Sequence, residues 1–424
     1  MSIFEQRESE IRAYCRVYPT VFDTALNARQ TDENGKEYID FFAGAGVLNF
    51  GHNNERMKQA VIDYLQRNGV THSLDMHTCA KRDFMARFSR IILEPRNMPH
   101  KMQFMGPTGT NAVEAALKLA RRATGRHEVV AFHHGFHGMT LGSLACTANQ
   151  YFRGAAGVPL SHVSHAAFGA EGASAETAMQ ALKLLAESYS DGSSGVTAPA
   201  AFLVEVVQAE GGVNIADRTW LQALASLAKS VGALLIVDDI QSGMGRTGSF
   251  FSFDDYGIDP DIICLAKGLG GLGTPIAMNL VKPEYDRHWS PGEHTGTFRG
   301  QCLSFVAGSE ALSYFEDRYF EDRHLMAEVK EKGALMQSAL AILTDHDVVE
   351  IRGKGMLFGV DVGDGERAKT IVSRCFEAGL LVSACGSGGR VIKLIPPLTI
   401  PEADLKAGLA ILVAVTQDVL GEVA

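Results

Sequence analysis

Between about residues 80 and 310, short apolar runs alternate with amphipathic helical patterns, and this alternation constrains the fold more than any other feature. Lys101–Met105, Glu128–His133, Ala200–Val206, Ala233–Asp238 and Asp261–Ala266 read as strands. Asn111–Thr124, Glu176–Ser188 and Trp220–Val231 read as helices between them. The strand runs are continuously apolar, as strands covered on both faces are. The expectation is an α/β fold with a mostly parallel central sheet and helices on both sides. Ser190-Asp-Gly-Ser-Ser-Gly195 reads as a surface loop within it.

The flanks differ. Residues 20–43 alternate around Asn34-Gly35, a type I′ hairpin signal, and a helix from Asn53 to Gln66 follows. Beyond 305 a long helical region, about Phe305 to Leu343, precedes Val348–Arg352, Leu357–Val362, a helix Ala368–Ala378, Leu380–Ser383 and Val391–Leu394. The chain therefore divides into an N-terminal part of a small α/β domain (1–70), a large domain (71–305) and the C-terminal part of the small domain (306–424).

Composition narrows the function. With 424 residues, 46% hydrophobic and 21% charged, the chain is of ordinary globular type. A net charge of -10 lacks the basic footprint of a nucleic-acid binder. Seven scattered cysteines, an odd number with no Cys-x-x-Cys, point to free thiols in a reducing compartment. The first residues carry no apolar leader pattern, and the longest apolar stretch, Leu409–Val415, is too short to span a bilayer. A cytoplasmic location without membrane attachment is expected.

The chemistry sits at two adjacent strand ends. Ala233–Asp238 ends in Asp238-Asp239, and Asp261–Ala266 ends in Lys267 followed by Gly-Leu-Gly-Gly-Leu-Gly273. A carboxylate at the end of a buried strand is costly unless paired. A lysine amine can form an imine with an aldehyde and later carry a proton. Together they suit pyridoxal phosphate, whose pyridine nitrogen pairs with an acid and whose aldehyde takes a lysine. Asp239 points to the other face and reads as structural, while Gln241 is placed to donate to the cofactor's phenolic oxygen. Met105-Gly-Pro-Thr-Gly-Thr-Asn111 reads as strand, turn and helix start, with Gly109, Thr110 and Asn111 as phosphate donors. The bland alternative is a plain N-cap by Thr110 or Asn111. Phe136, in His134-Gly-Phe-His-Gly138, offers a ring for stacking; a core phenylalanine is the alternative.

Two rival readings are weaker. His133, His134 and His137, or His72 and His77, lack further ligands at metal-site spacing, so no metal is expected. Gly243-Met-Gly-Arg-Thr-Gly248 fits the dinucleotide fingerprint. However, Asp238 and Asp239 stand between strand and glycines, where they would repel a pyrophosphate, and no amphipathic helix follows. A nicotinamide-dependent oxidoreductase is therefore the distant alternative.

Taken together, these segments resemble the class III (ornithine/ω-) aminotransferases. The resemblance covers nearly the whole chain and rests chiefly on Leu235-Ile-Val-Asp-Asp-Ile-Gln-Ser-Gly-Met-Gly-Arg-Thr-Gly248 with Lys267 beyond it. It implies a fold-type I pyridoxal-phosphate enzyme, with Lys267 as the Schiff-base lysine, Asp238 as pyridinium partner and Gln241 as contact of the phenolic oxygen. It further implies Gly109 and Thr110 on the phosphate and Phe136 on the ring. Thr297, in Gly292-Glu-His-Thr-Gly-Thr-Phe298, would serve the neighbouring subunit's site, so a homodimer at least is expected. Glu205 and Glu210 match the family's active-site acidic segment.

Tyr38–Gly46, Asn49–Asn54, Gly106–Ala115 and Gly296–Gly300 narrow the resemblance to the branch that moves an amino group between glutamate and the terminal carbon of a four-carbon amino acid. That implies L-glutamate as donor, L-aspartate 4-semialdehyde as acceptor and L-2,4-diaminobutyrate as product. Three positions depart from the wider family. Asp239 replaces the usual Glu, Ala209 a glycine, and Lys393, before Pro396-Pro397, an arginine that clamps a substrate carboxylate. A lysine is a weaker, non-bidentate clamp, and Lys393 is the substrate contact expected in the arginine's place.

Overall fold

The computed structural model describes residues 2–172, 174–316 and 324–422. Seven strands form the central sheet, in the order Lys101–Phe104, Met278–Val281, Ile262–Leu265, Leu234–Asp238, Ala201–Val204, Val129–Phe132 and Val163–Ala166. Met278–Val281 runs antiparallel to both neighbours; the remaining ladders are parallel. The five expected strands form. Val163–Ala166 and Met278–Val281 carried no sequence expectation; the first is only half apolar.

Helices cover the sheet where the periodicity places them. Gly109–Thr124 buries Val113, Leu117 and Ala120 and ends on Gly125 in the left-handed conformation. Arg218–Ser230 is capped by Asp217 and packs Trp220, Leu221 and Leu224 inward. Glu55–Gln66 starts after Asn54, whose side chain caps it. Ser190–Gly195 forms a largely exposed turn.

The N-terminal hairpin differs in turn type from the expectation. Asn34 keeps a negative φ and only Gly35 is left-handed, at φ +82°. Gly35 N donates to Asp32 O, and Asp32 Oδ1 accepts from the N–H groups of Asn34 and Lys36. The Asp32 carboxylate stabilises a type I turn with a glycine bulge instead of the type I′ turn.

The long helical region expected over 305–343 is two helices, Cys302–Ser313 and Leu325–Leu340; residues 317–323 of that expectation lie outside the described residues. Glu350–Lys354, Leu357–Asp361, Val391–Leu394 and Ser383–Cys385 form an antiparallel sheet. Leu380–Leu381 leaves that sheet and runs parallel to Ile39–Asp40 of the N-terminal strands. The expected run Leu380–Ser383 thus serves two sheets. All seven cysteines are free thiols, five of them buried. No described helix is long and apolar enough to cross a membrane.

Candidate active site

Asp238 ends a strand flanked by Ala201–Val204 and Ile262–Leu265, with Asp238 opposite Cys264 and Val237 opposite Val204. Glu205, Asp238 and Lys267 therefore gather at one sheet edge, where the parallel strands end. Asp238 is buried and accepts from His137 Nδ1 at 2.8 Å and from the Ile240 N–H at 3.2 Å. Asp239 faces the other way, as the strand period requires. It accepts from Ser242 Oγ at 2.9 Å and Ser252 N at 3.1 Å, and burial pushes its carboxyl up to about 6. The structural reading of Asp239 stands.

Lys267 is half-buried and itself left-handed, at φ +49°. Its ammonium donates to Ala45 O at 3.0 Å, and Gln241 Nε2 donates to the same oxygen at 2.7 Å. Burial lowers the Lys267 pKa; Glu210 opposes this, the Lys393 ammonium adds to it, and the result is about 8. The next residue has to be glycine, because a Cβ on Gly268 would lie 2.6 Å from Asn49 Nδ2.

Lys393 is the largest departure from a surface lysine. It sits on Val391–Leu394, 1% exposed, and its ammonium pairs with Glu210 Oε1. Gln241 Nε2 also reaches Glu210 Oε1, at 3.2 Å. Burial alone would raise the Glu210 pKa; the ammonium groups of Lys393 and Lys267 outweigh it and hold the carboxyl at about 2. Burial works to lower the Lys393 value, but Glu210 drives it above the usual lysine range. Among the described residues no cation pairs with Glu205. Burial and the Asp238 charge raise its pKa well above the carboxylate range, and its Oε2 accepts from Phe136 N at 3.0 Å. The HGFHG segment is thus held at two adjacent residues, Phe136 by Glu205 and His137 by Asp238. Phe136 packs edge-on against Phe152, with ring centres 5.7 Å apart.

The cap of Gly109–Thr124 is Thr108, not Thr110 or Asn111. Asn111 N is engaged by Thr108, and Asn111 Oδ1 meets His294 Nε2 at 3.1 Å. The Thr110 hydroxyl bonds Thr140 and Ser143, at 2.7 and 2.5 Å. Among the described residues the backbone N–H groups of Gly109 and Thr110 have no protein acceptor, so these two are the donors left at the helix start. A cavity of about 890 Å³ opens beside this edge, with Tyr14, Phe136, Phe152, Glu210 and Cys385 in its wall. Lys267, Asp238 and Gln241 are not in its lining; Gln241 meets Glu210 of that wall at 3.2 Å. Thr297 is exposed next to the exposed Phe298, on a loop whose His294 meets Asn111 at the helix start.

The Gly243–Gly248 segment is no phosphate loop. Arg246 is fully buried and donates to Met356 O at 3.1 Å, Pro396 O at 2.5 Å and Asn49 Oδ1 at 2.8 Å. It links three distant chain segments, and turns rather than a helix follow it. Sequence reasoning missed three elements of the site. These are the His137 partner of Asp238, the Glu210–Lys393 pair and the Ala45 carbonyl. Only His137 had a local signal, its place directly after Phe136.

This arrangement of lysine, strand-end acid and helix-start donors is that of a pyridoxal-phosphate enzyme of the transaminase type. Residues 13–416 match the model of the class-III aminotransferases, and the chain belongs to that family. Among its relatives, the diaminobutyrate–2-oxoglutarate transaminase of Halalkalibacterium halodurans is 48% identical over 415 residues, covering 97% of this chain and 95% of that protein. An uncharacterised aminotransferase of Sinorhizobium fredii is 49% identical over 413 residues, covering 96% of this chain and 90% of that protein. The crystal structure of ornithine aminotransferase from Toxoplasma gondii superposes with a TM-score of 0.84 at 26% identity, covering 99% of this chain and 94% of that one.

Proposed function

We propose that the chain transfers the amino group of L-glutamate to L-aspartate 4-semialdehyde, giving L-2,4-diaminobutyrate and 2-oxoglutarate. Near-full-length likeness to transaminases named for diaminobutyrate and 2-oxoglutarate supports the substrate pair. The observation that carries the chemistry is the Lys267 amine, with its pKa lowered to about 8, at the sheet edge where Asp238 also ends.

The residues present fit pyridoxal phosphate. The unpaired N–H groups of Gly109 and Thr110 would hold its phosphate, with the helix dipole adding to the attraction. Asp238, buried and hydrogen-bonded by His137, would hold the ring nitrogen, and Phe136 would cover the ring. Gln241 would reach the phenolic oxygen, and Asn111 would serve through its side chain. When bound, the cofactor supplies an aldehyde that takes up the amino group and a ring that draws charge from the substrate carbon. Lys267 would hold the cofactor through its amine and, when free of it, would remove and return the substrate proton. Glu205, carrying a proton, keeps Phe136 in place without adding a second negative charge beside Asp238. Lys393 would meet a substrate carboxylate after parting from Glu210.

We further infer a homodimer or larger assembly with shared sites, in a reducing cytoplasm. Thr297 and Phe298 are exposed on one loop, and Leu74 and Met76 are exposed as well, as a surface covered by a second copy requires. The division into a large domain (71–305) and a small one built from both ends is part of the same reading.

The test is an absorbance spectrum of the purified protein before and after L-2,4-diaminobutyrate plus 2-oxoglutarate, with glutamate release assayed. A visible band that shifts as glutamate forms supports the proposal. A band that shifts only with other amines discards the substrate and keeps the family. A Lys267→Ala chain that still turns over would sink the role of Lys267.

A further inference from the structure

Four consecutive residues, Ala43, Gly44, Ala45 and Gly46, have left-handed backbones, with φ of +46°, +60°, +58° and +86°. L-residues avoid this region, and a run of it that includes two alanines persists only where its surroundings enforce it. Asp40 does so. It is 0% exposed, and its Oδ1 accepts from Phe42 N at 2.8 Å and Ala43 N at 2.7 Å. Its Oδ2 accepts from Gln30 Nε2 at 3.0 Å and lies 2.7 Å from His52 Nε2. His52 is itself fixed, through a backbone pair with Asn27. At the far end, a Cβ on Gly46 would lie 2.8 Å from Ile395 Cδ1. The product of this strain is one oriented carbonyl, Ala45 O, which accepts from both Lys267 and Gln241.

We propose that Asp40 and His52 are positioning residues for the reaction. They hold the left-handed turn so that Ala45 O receives the Lys267 amine whenever that amine is not bonded to the cofactor, in fixed register with the Gln241 amide. The proposal rests on the cofactor role given to Lys267 above. A carbonyl acceptor favours ammonium over amine, so the turn also raises the proton affinity of Lys267. The charged groups facing that amine are Glu205, Glu210, Asp238 and Lys393, and all belong to other chain segments.

The experiment is trace acetylation of the cofactor-free full chain across pH, read by mass spectrometry on the peptide carrying Lys267. Asp40→Ala is expected to lower the Lys267 midpoint by about one pH unit, tenfold in the protonation equilibrium. Asp40→Asn, which keeps an acceptor at Oδ1, is expected to restore most of it. A merely structural Asp40 would lower the yield of folded protein and leave the midpoint in place. Should Asp40→Ala give no folded chain, Gly46→Ala carries the test, because its Cβ displaces the turn against Ile395. A folded variant of either kind with the parent's midpoint overturns the proposal. Pyridoxal-phosphate binding by Lys267→Ala at the parent's affinity would instead overturn the cofactor role and leave the midpoint test intact.

Discussion

Glu210→Gln isolates the energetics of the ion pair beneath the site. Side-chain exposure is 26% for Glu210 and 1% for Lys393, so solvent screens this pair little. The gap between an ordinary 4.5 and about 2, at roughly 1.4 kcal/mol per pH unit, makes the ionised Glu210 worth about 3 kcal/mol at pH 7. The loss has a ceiling. An unpaired Lys393 can shed its proton, which from 10.5 costs roughly 5 kcal/mol at pH 7. The variant is therefore expected to lose about 3 to 5 kcal/mol, the range found when one partner of a buried pair is removed.

The pH window follows from the signs. Glu210 lies below its unfolded value, so its contribution is complete above about pH 4.5 and fades as pH falls through 2. Lys393 lies above its unfolded value, so its share is complete below 10.5 and fades only as pH rises through its raised value. Between pH 7 and 3 only the Glu210 share changes, to roughly 1.4 kcal/mol at pH 3. The assay is urea unfolding of parent and variant, without cofactor, at both pH values. A variant within 1 kcal/mol of the parent at pH 7, or a difference equal at both pH values, would refute the reasoning.

Three further outcomes are expected. His137→Phe removes the buried partner of Asp238, worth about 1.5–3 kcal/mol for a charge-assisted bond, and should weaken cofactor retention at least about tenfold; equilibrium dialysis with unchanged retention would contradict the pairing. Arg246→Leu leaves the carbonyls of Met356 and Pro396 and the Asn49 amide oxygen without a buried donor. At about 1–3 kcal/mol each, a loss of at least about 3 kcal/mol should show as raised proteolytic sensitivity; parent-like resistance would remove its linking role. Cofactor capture needs the neutral amine, so its rate should rise with pH through a midpoint near 8, and a midpoint near 10 would mean that Lys267 is not desolvated.

What the sequence disclosed and what it withheld divide along physical lines. Asp238 and Lys267 were legible because each ends an apolar strand, and a charge in that place has few inexpensive explanations. Gly109 was legible as a turn, but which residue caps the helix turned on whether Thr108, Thr110 or Asn111 adopts the extended backbone, and periodicity does not encode that. Met278–Val281 was hidden because its antiparallel course comes from neighbours at Ile262–Leu265 and Lys101–Phe104, not from its own four residues. Glu210 and Lys393 are 183 positions apart, and Ala45 and Lys267 222 apart. Nothing local distinguishes a lysine neutralised at that distance from one waiting for a substrate. The same holds for Lys393 in place of an arginine clamp. With Glu210 present its charge is already satisfied, so any carboxylate it binds has to displace Glu210 first. Under the proposed role of Lys393, selectivity at this end of the site would depend on the difference between two carboxylates competing for one ammonium, a difference that Glu210→Gln changes directly.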